Sequence, residues 1–245
     1  MSDFKLPTET IELPSKGLLY SSDSPLAKGT IDMKYMTARE EDILTNTNYI
    51  NNGTVIDKLL QSLITTEGVN YGDLLIGDKN AIMVAARILS YGKDYSFKYN
   101  GEEITVDLTG IEAKEIDESL YVDRKNEFQF TLPHSENLVT FKILTHKDER
   151  DIEAEIKGLK RINKDENREV TTRLKYMITG VNGRTEQKDI REFVDKYLLA
   201  RDARALREEY SRISPDVKLE FYPDGEEEVV DLPITINFFW PDAGK

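Results

Sequence analysis

Tyr95-Ser96-Phe97-Lys98-Tyr99-Asn100-Gly101-Glu102-Glu103-Ile104-Thr105-Val106-Asp107-Leu108 is the stretch that decides the fold class. Apolar and polar residues alternate on both sides of Asn100-Gly101, and a period of two belongs to a half-buried strand. Asn and Gly both tolerate the positive φ that a type I′ turn demands at its two central positions, so the stretch predicts a tight β-hairpin. Helix-period segments lie before and after it. Hairpins segregated from helix runs argue for an α+β fold, antiparallel hairpins and short sheets combined with a helical lobe, rather than a doubly wound parallel sheet.

Upstream, Thr10-Ile11-Glu12-Leu13 alternates, Pro14-Ser15-Lys16-Gly17 reads as a turn, and Gly29 to Met36 alternates again. Thr37 and Glu40 have the spacing of a capping box, which starts a helix over Ala38 to Leu44. Val55, Ile56, Leu59, Leu60, Leu63 and Ile64 share one face of a second helix, and a third is expected from near Asp73 to Gly92. Downstream come strands over Glu127–Leu132 and Leu138–Leu144, then helices over Glu149–Ile162, Val170–Thr179, Glu186–Leu199 and Ala200–Ile213. Lys164 to Arg168 reads as a polar linker. A second hairpin (Val217–Tyr222 with Glu227–Leu232) and a final apolar strand, Ile234–Trp240, close the chain. Three regions result: a mixed α/β part over 1–148, a helical lobe over 149–214, and a C-terminal β-hairpin with an aromatic strand over 215–245, packed with the rest. Gly101 to Leu108 is echoed by Gly225 to Leu232, which suggests either shared turn chemistry or one repeated β-module.

Composition excludes several chemistries. The 245 residues hold 33 Lys+Arg against 46 Asp+Glu, a net charge of −13, with no cysteine and two histidines. Disulfides, thiolate metal sites and cysteine nucleophiles are therefore ruled out. An acidic chain is a poor match for sequence-independent DNA binding, which runs on Lys/Arg neutralising phosphates. No apolar run reaches the roughly 18–20 residues of a membrane span, and Met1–Thr10 lacks the plan of a signal peptide. The expectation is a soluble cytoplasmic protein that binds other proteins.

Catalytic signatures are missing: there is no nucleophile elbow, P-loop or His-Glu-x-x-His. Gly77-Asp78-Lys79-Asn80 lacks the glycine spacing of a phosphate loop and reads as a turn or helix start. The carboxylate clusters Glu102/Glu103 and Glu226–Glu228 could hold a hard cation or serve a carboxylate- or metal-dependent hydrolase, but hairpin-tip acids more often form a solvated face. His134 and His146 read as surface or capping residues. No catalytic residue, metal ligand or cofactor is assigned. Three segments are candidates for partner binding. The first is the N-terminal turn Ser15, Lys16 and Gly17. The second is the helix bearing Arg201, Arg204 and Arg207, whose guanidinium forks could grip carboxylates. The third is the aromatic end Phe238, Phe239 and Trp240, a core strand or a docking patch.

Leu13-Pro14-Ser15-Lys16-Gly17-Leu18-Leu19-Tyr20, Met36-Thr37-Ala38-Arg39-Glu40-Glu41-Asp42-Ile43-Leu44, Asp73-Leu74-Leu75-Ile76-Gly77-Asp78-Lys79-Asn80, Ala86-Arg87-Ile88-Leu89-Ser90-Tyr91-Gly92 and Phe238-Phe239-Trp240-Pro241 together resemble the baseplate hub subunit and hub-assembly proteins of T-even-type contractile-tailed bacteriophages. The resemblance implies a non-enzymatic role in building the tail, as assembly factor or hub component. Its implied partners are hub proteins and the tape-measure protein, with no nucleic acid and no stable membrane insertion. The implied location is the host cytoplasm during assembly or the virion baseplate. It also implies Cys-x-x-Cys pairs in relatives at the hairpins corresponding to Tyr99–Glu102 and Tyr222–Gly225. This chain has Asn100-Gly101 and Pro223-Asp224-Gly225 there, so no metal is expected. A DNA-mimicking inhibitor is a further reading, weakened by the basic residues interspersed among the acids.

Overall fold

The computed structural model describes residues 6–162, 167–223 and 229–239. In chain order the elements are β1 (Thr8–Glu12), β2 (Thr30–Lys34), α1 (Ala38–Leu44), α2 (Thr47–Asn51), α3 (Val55–Leu63), α4 (Ile76–Tyr91), β3 (Asp94–Tyr99), β4 (Glu102–Asp107), β5 (Phe128–Thr131), β6 (Leu138–Phe141), α5 (His146–Ile162), α6 (Glu169–Met177), β7 (Ile178–Val181), α7 (Gln187–Lys196), α8 (Ala200–Ile213), β8 (Glu220–Phe221), β9 (Val230–Asp231) and α9 (Ile236–Phe239). Short 3-10 turns join several of them. The fold is α+β, with small antiparallel sheets: β1–β2, β3–β4, β5–β6–β7 and β8–β9.

Local chemistry explains the elements that form where the sequence places them. Asn100 and Gly101 take φ of 49° and 89°, and Tyr99 pairs with Glu102 across the turn. Glu40 accepts from both the amide and the hydroxyl of Thr37 at 2.9 and 2.6 Å, closing the capping box of α1. Val55, Leu59, Leu60 and Leu63 of α3 are all buried, each contributing about 1.5–3 kcal/mol by leaving water.

Three elements depart from the sequence reading. Ile178–Val181 continues an apolar helix pattern, yet it forms β7 and pairs with β6 (Thr140 opposite Gly180, Val139 opposite Val181). The region read as a helical lobe therefore contains an edge of a sheet begun before it. α4 starts at Ile76, not near Asp73, because the Asn70 side chain accepts from the Gly72 amide and sets up a separate 3-10 turn, Tyr71–Asp73. Finally, Ile236–Phe239 is a helical turn instead of part of a strand over Ile234–Trp240. A strand would send Phe238 and Phe239 to opposite faces, whereas neighbours about 100° apart on a helix can enter one apolar region together. The helices α2 (Thr47–Asn51) and α9 were not foreseen. The part of the linker at 164–166, the turn of the second hairpin and Trp240 lie outside the described residues, as does the first half, 225–228, of the 225–232 echo.

Two bidentate Arg–Glu pairs tie α6 and α7 to α5. Arg173 of α6 holds Glu149 of α5 at 2.5 and 3.0 Å, and Arg191 of α7 holds Glu155 of α5 at 2.8 and 2.7 Å. Fork geometry makes such pairs directional as well as attractive. The hairpins β3–β4 and β8–β9 meet through aromatic edges, Phe97 and Tyr99 each lying about perpendicular to Phe221 at 5.0 and 5.5 Å.

Candidate functional site

The first turn of α4 is where distant segments converge. Gly77 lies so close to the backbone of Pro215 that a Cβ would stand 1.8 Å from its carbonyl oxygen, so only glycine allows this approach. Asn80 donates to Asp216 Oδ1 at 2.9 Å, fixing the same crossing. Gly77-Asp78-Lys79-Asn80 is thus the start of a helix, and each of its four residues makes a tertiary contact.

Asp78 is fully buried. Its carboxyl accepts from the Ser15 amide (2.9 Å), the Ser15 hydroxyl (2.7 Å) and the Tyr20 hydroxyl (2.6 Å), while the Tyr20 oxygen accepts from the Leu75 amide at 2.9 Å. Burial raises the Asp78 carboxyl above its ordinary range despite these three donors. Burial first, and the neighbouring Asp78 second, also raise the Tyr20 phenol.

The next residue of α4, Lys79, enters a second cluster. Asp57 of α3 receives Lys79 Nζ and Tyr71 Oη at 3.3 Å each, with His146 Nε2 at 3.3 Å and an Arg150 guanidinium nitrogen at 3.7 Å. Lys79 Nζ also sits 3.2 Å from His146 Nδ1, and a ring carrying its proton on Nε2 satisfies both contacts. Burial works to raise Asp57, but the bond from His146 and the charge of Lys79 outweigh it and hold the carboxyl low. His146 is buried against the Tyr71 ring at 4.6 Å, so it is neither a surface histidine nor merely a cap. Asp78 is closed off from solvent, whereas the Asp57 cluster is half-buried and reaches the surface through Lys79 and Arg150.

The residues singled out for partner binding divide sharply. Ser15 is buried against Asp78. Gly17 takes φ of 73° with Ala27 O and Gly29 N within 2.6 Å of a would-be Cβ, so it serves the turn. Lys16 alone of the three is exposed, and it pairs with Glu118 at 2.5 Å. On α8, Arg204 pairs with Glu208 at 2.7 Å in the expected i,i+4 manner, Arg207 donates to the Ala203 carbonyl, and Arg201 faces solvent. The bidentate guanidinium fork on α8 is made by Arg212, which holds Glu209 of the same helix at 2.8 and 2.7 Å. Between the α8 arginines, Asp202 is buried and accepts from the amides of His134 (2.9 Å) and Ser135 (3.0 Å). Phe238 and Phe239 are 0% and 2% exposed, with Phe238 edge-on to Tyr95 at 4.8 Å. They are core residues and cannot form a docking patch as they stand. Trp240 lies outside the described residues.

Glu102 and Glu103 are exposed on β4, opposite Tyr99 and Lys98. Glu226–Glu228 lie outside the described residues. Among the described residues no group of three or more His, Asp or Glu side chains is arranged to hold a metal ion, and no helix is long and apolar enough to cross a membrane. No family model matches the chain, and neither the curated proteins nor the solved structures compared with it give a match.

Proposed function

We propose that this chain is a baseplate hub assembly protein of a contractile-tailed bacteriophage, acting through protein–protein contacts rather than catalysis. One observation carries the reading: two of the segments that bear the resemblance, Leu13–Tyr20 and Asp73–Asn80, are interlocked by Ser15, Tyr20 and Asp78. Segments some 60 residues apart that resemble one family in order, and that also complete each other's hydrogen bonds, are more telling than separate short matches. What those residues build is scaffold. Such a resemblance fits a protein whose work is done by its shape and surface. The net charge of −13 supports it further, since an acidic surface steers basic partner segments and discourages non-specific association with nucleic acid.

Co-expression with the complete set of phage hub and tape-measure proteins tests the proposal. The expected result is co-purification in a defined complex; a chain that stays monomeric and unbound in that company overturns it. Mass spectrometry of finished particles then separates the two forms of the role, because an assembly factor is absent from them and a hub component is present.

A further inference from the structure

We infer that the outer edge of β1 is a strand-addition site for an extended, lysine- or arginine-bearing segment of a partner protein. The β1–β2 ladder fixes which backbone groups are free. Thr10 lies opposite Asp32, and Asp32 turns its own amide and carbonyl away from β1, to Thr66 Oγ1 (2.7 Å) and the Thr65 amide (2.9 Å). Residues in the same pair of an antiparallel ladder point their backbone groups in opposite directions, away from each other or toward each other, in alternation. Thr8, Thr10 and Glu12 therefore aim their N–H and C=O groups outward, while Glu9 and Ile11 bond to β2. The outer edge of β2 is covered by 65–66. Among the described residues, no backbone group bonds to that edge of β1, although α4 packs beside the strand, and Thr8, Glu9, Thr10 and Glu12 are exposed.

A row of unpaired backbone donors and acceptors is a template for another strand. Its side chains select which one. Glu9, Glu12 and Asp32 bring three carboxylates to the ribbon, Glu9 also accepting from the Tyr35 hydroxyl and Asp32 from that of Thr10, while Lys34, the cation of this ribbon, is already held by Glu40 at 2.8 Å. Two copies of β1 paired about Thr10 would put four glutamates on one narrow ribbon between molecules that each carry −13. Opposite charges across a strand pair stabilise and like charges destabilise, so the edge fits a basic strand and disfavours a second copy. Glu12 stands at the mouth of a cleft that Lys16, Lys28 and Lys114 also line, so the acidic stretch open to a basic segment ends at Glu12. The inference does not depend on the tail-assembly reading, since the edge is present whatever the partner's identity.

The test uses the full-length 15N-labelled chain and a capped hexapeptide alternating Lys and Val, with a Glu–Val peptide as the counterpart. With the Lys–Val peptide at about ten times its dissociation constant, amide exchange at Thr8, Thr10 and Glu12 should slow about tenfold, because only the free fraction exchanges. Glu9 and Ile11 should not change, and the affinity should fall with added salt. Thr10→Pro removes one outward N–H, together with the hydroxyl bond to Asp32, but no backbone bond of the ladder, and should abolish the protection while the Ile31 and Met33 amides stay protected. If that variant disturbs the fold, Glu9→Lys/Glu12→Lys should switch preference to the Glu–Val peptide. Protection by neither peptide, by both equally, or at other residues overturns the inference, and so does protection that appears with protein concentration alone. Co-expression with tail proteins plays no part in this outcome, so the two proposals fail separately.

Discussion

Asp78 carries more of the structure than any residue singled out from sequence, and its neighbours say why. It gathers the Ser15 amide, the Ser15 hydroxyl and the Tyr20 hydroxyl inside the protein. Each buried donor left without an acceptor costs about 1–3 kcal/mol. Asp78→Ala strands three at once and should destabilise the protein by about 3–5 kcal/mol in urea unfolding. Asp78→Asn keeps an acceptor and removes a group whose charge is costly when buried, so its cost should be about 1 kcal/mol or less. Equal losses in the two variants would show that packing, not hydrogen bonding, holds this junction. The sequence made Ser15 visible as part of a turn and Asp78 as part of a helix start, but not their meeting, because a pairing 63 residues long leaves no local signature. His146 was misread for the same reason. Its neighbours in the chain suggest a cap, while its contacts come from Asp57, Tyr71 and Lys79.

At the level of elements, what could be read was whatever local chemistry determines alone. The capping box of α1, the Asn100-Gly101 turn and the bounds of α8 are all set by residues within a few positions of one another. The missed strand β7 did carry such a signal. Asn182 and Gly183 take φ of 49° and 80°, and Val181 and Arg184 exchange backbone hydrogen bonds around them, so this is a second Asn-Gly turn of the kind at 100–101. What masked it was the largely apolar run from Leu174 through Tyr176, Met177 and Ile178, interrupted only by Lys175, whose switch from helix to strand depends on pairing with β6. The aromatic end was misread because a strand pattern holds only if a neighbouring strand exists to pair with. α8 shows how the two kinds of role can share one helix. Its arginines are exposed, and an exposed i,i+4 pair is worth only a few tenths of a kcal/mol; Arg201→Ala, Arg204→Ala and Arg207→Ala should each leave the midpoint of thermal unfolding within about 2 °C. Asp202→Ala, one residue from Arg201, deprives the His134 and Ser135 amides of their acceptor and should cost about 2–4 kcal/mol. If the helix also serves as a docking face, only the arginine variants will lose a partner while keeping their stability.

Over the whole molecule, the carboxyl groups pull stability in opposite directions as pH changes. Burial opposes ionisation of Glu40, Asp57 and Asp202, but their hydrogen bonds and cationic neighbours outweigh it, and the bond from Arg191 acts likewise on Glu155; all four are held below their ordinary range. Each binds its proton more weakly folded than unfolded. The stabilisation they supply is therefore complete above the unfolded value near ~4 and drains away as pH falls through their lower folded values. Asp78 is the reverse, because burial raises it. It holds its proton more tightly in the folded state, so its contribution is complete below ~4 and is lost as pH rises through the folded value. Self-repulsion from the net charge of −13 adds to the loss on the alkaline side. The unfolding midpoint should therefore peak at mildly acidic pH and decline on either side. Asp78→Asn separates the two alkaline terms, since it deletes the buried titration and changes the surface charge by at most one. Compared with the unmodified chain over about pH 4 to 8, this variant should gain relative stability as pH rises and then level off once Asp78 is ionised. Two curves that run parallel over that range would mean that Asp78 keeps an ordinary carboxyl range in the folded protein, and that charge repulsion alone shapes the alkaline side. The acidic decline has its own control, for Asp57→Asn should make it shallower, with Glu40, Glu155 and Asp202 still contributing, while leaving the alkaline branch in place.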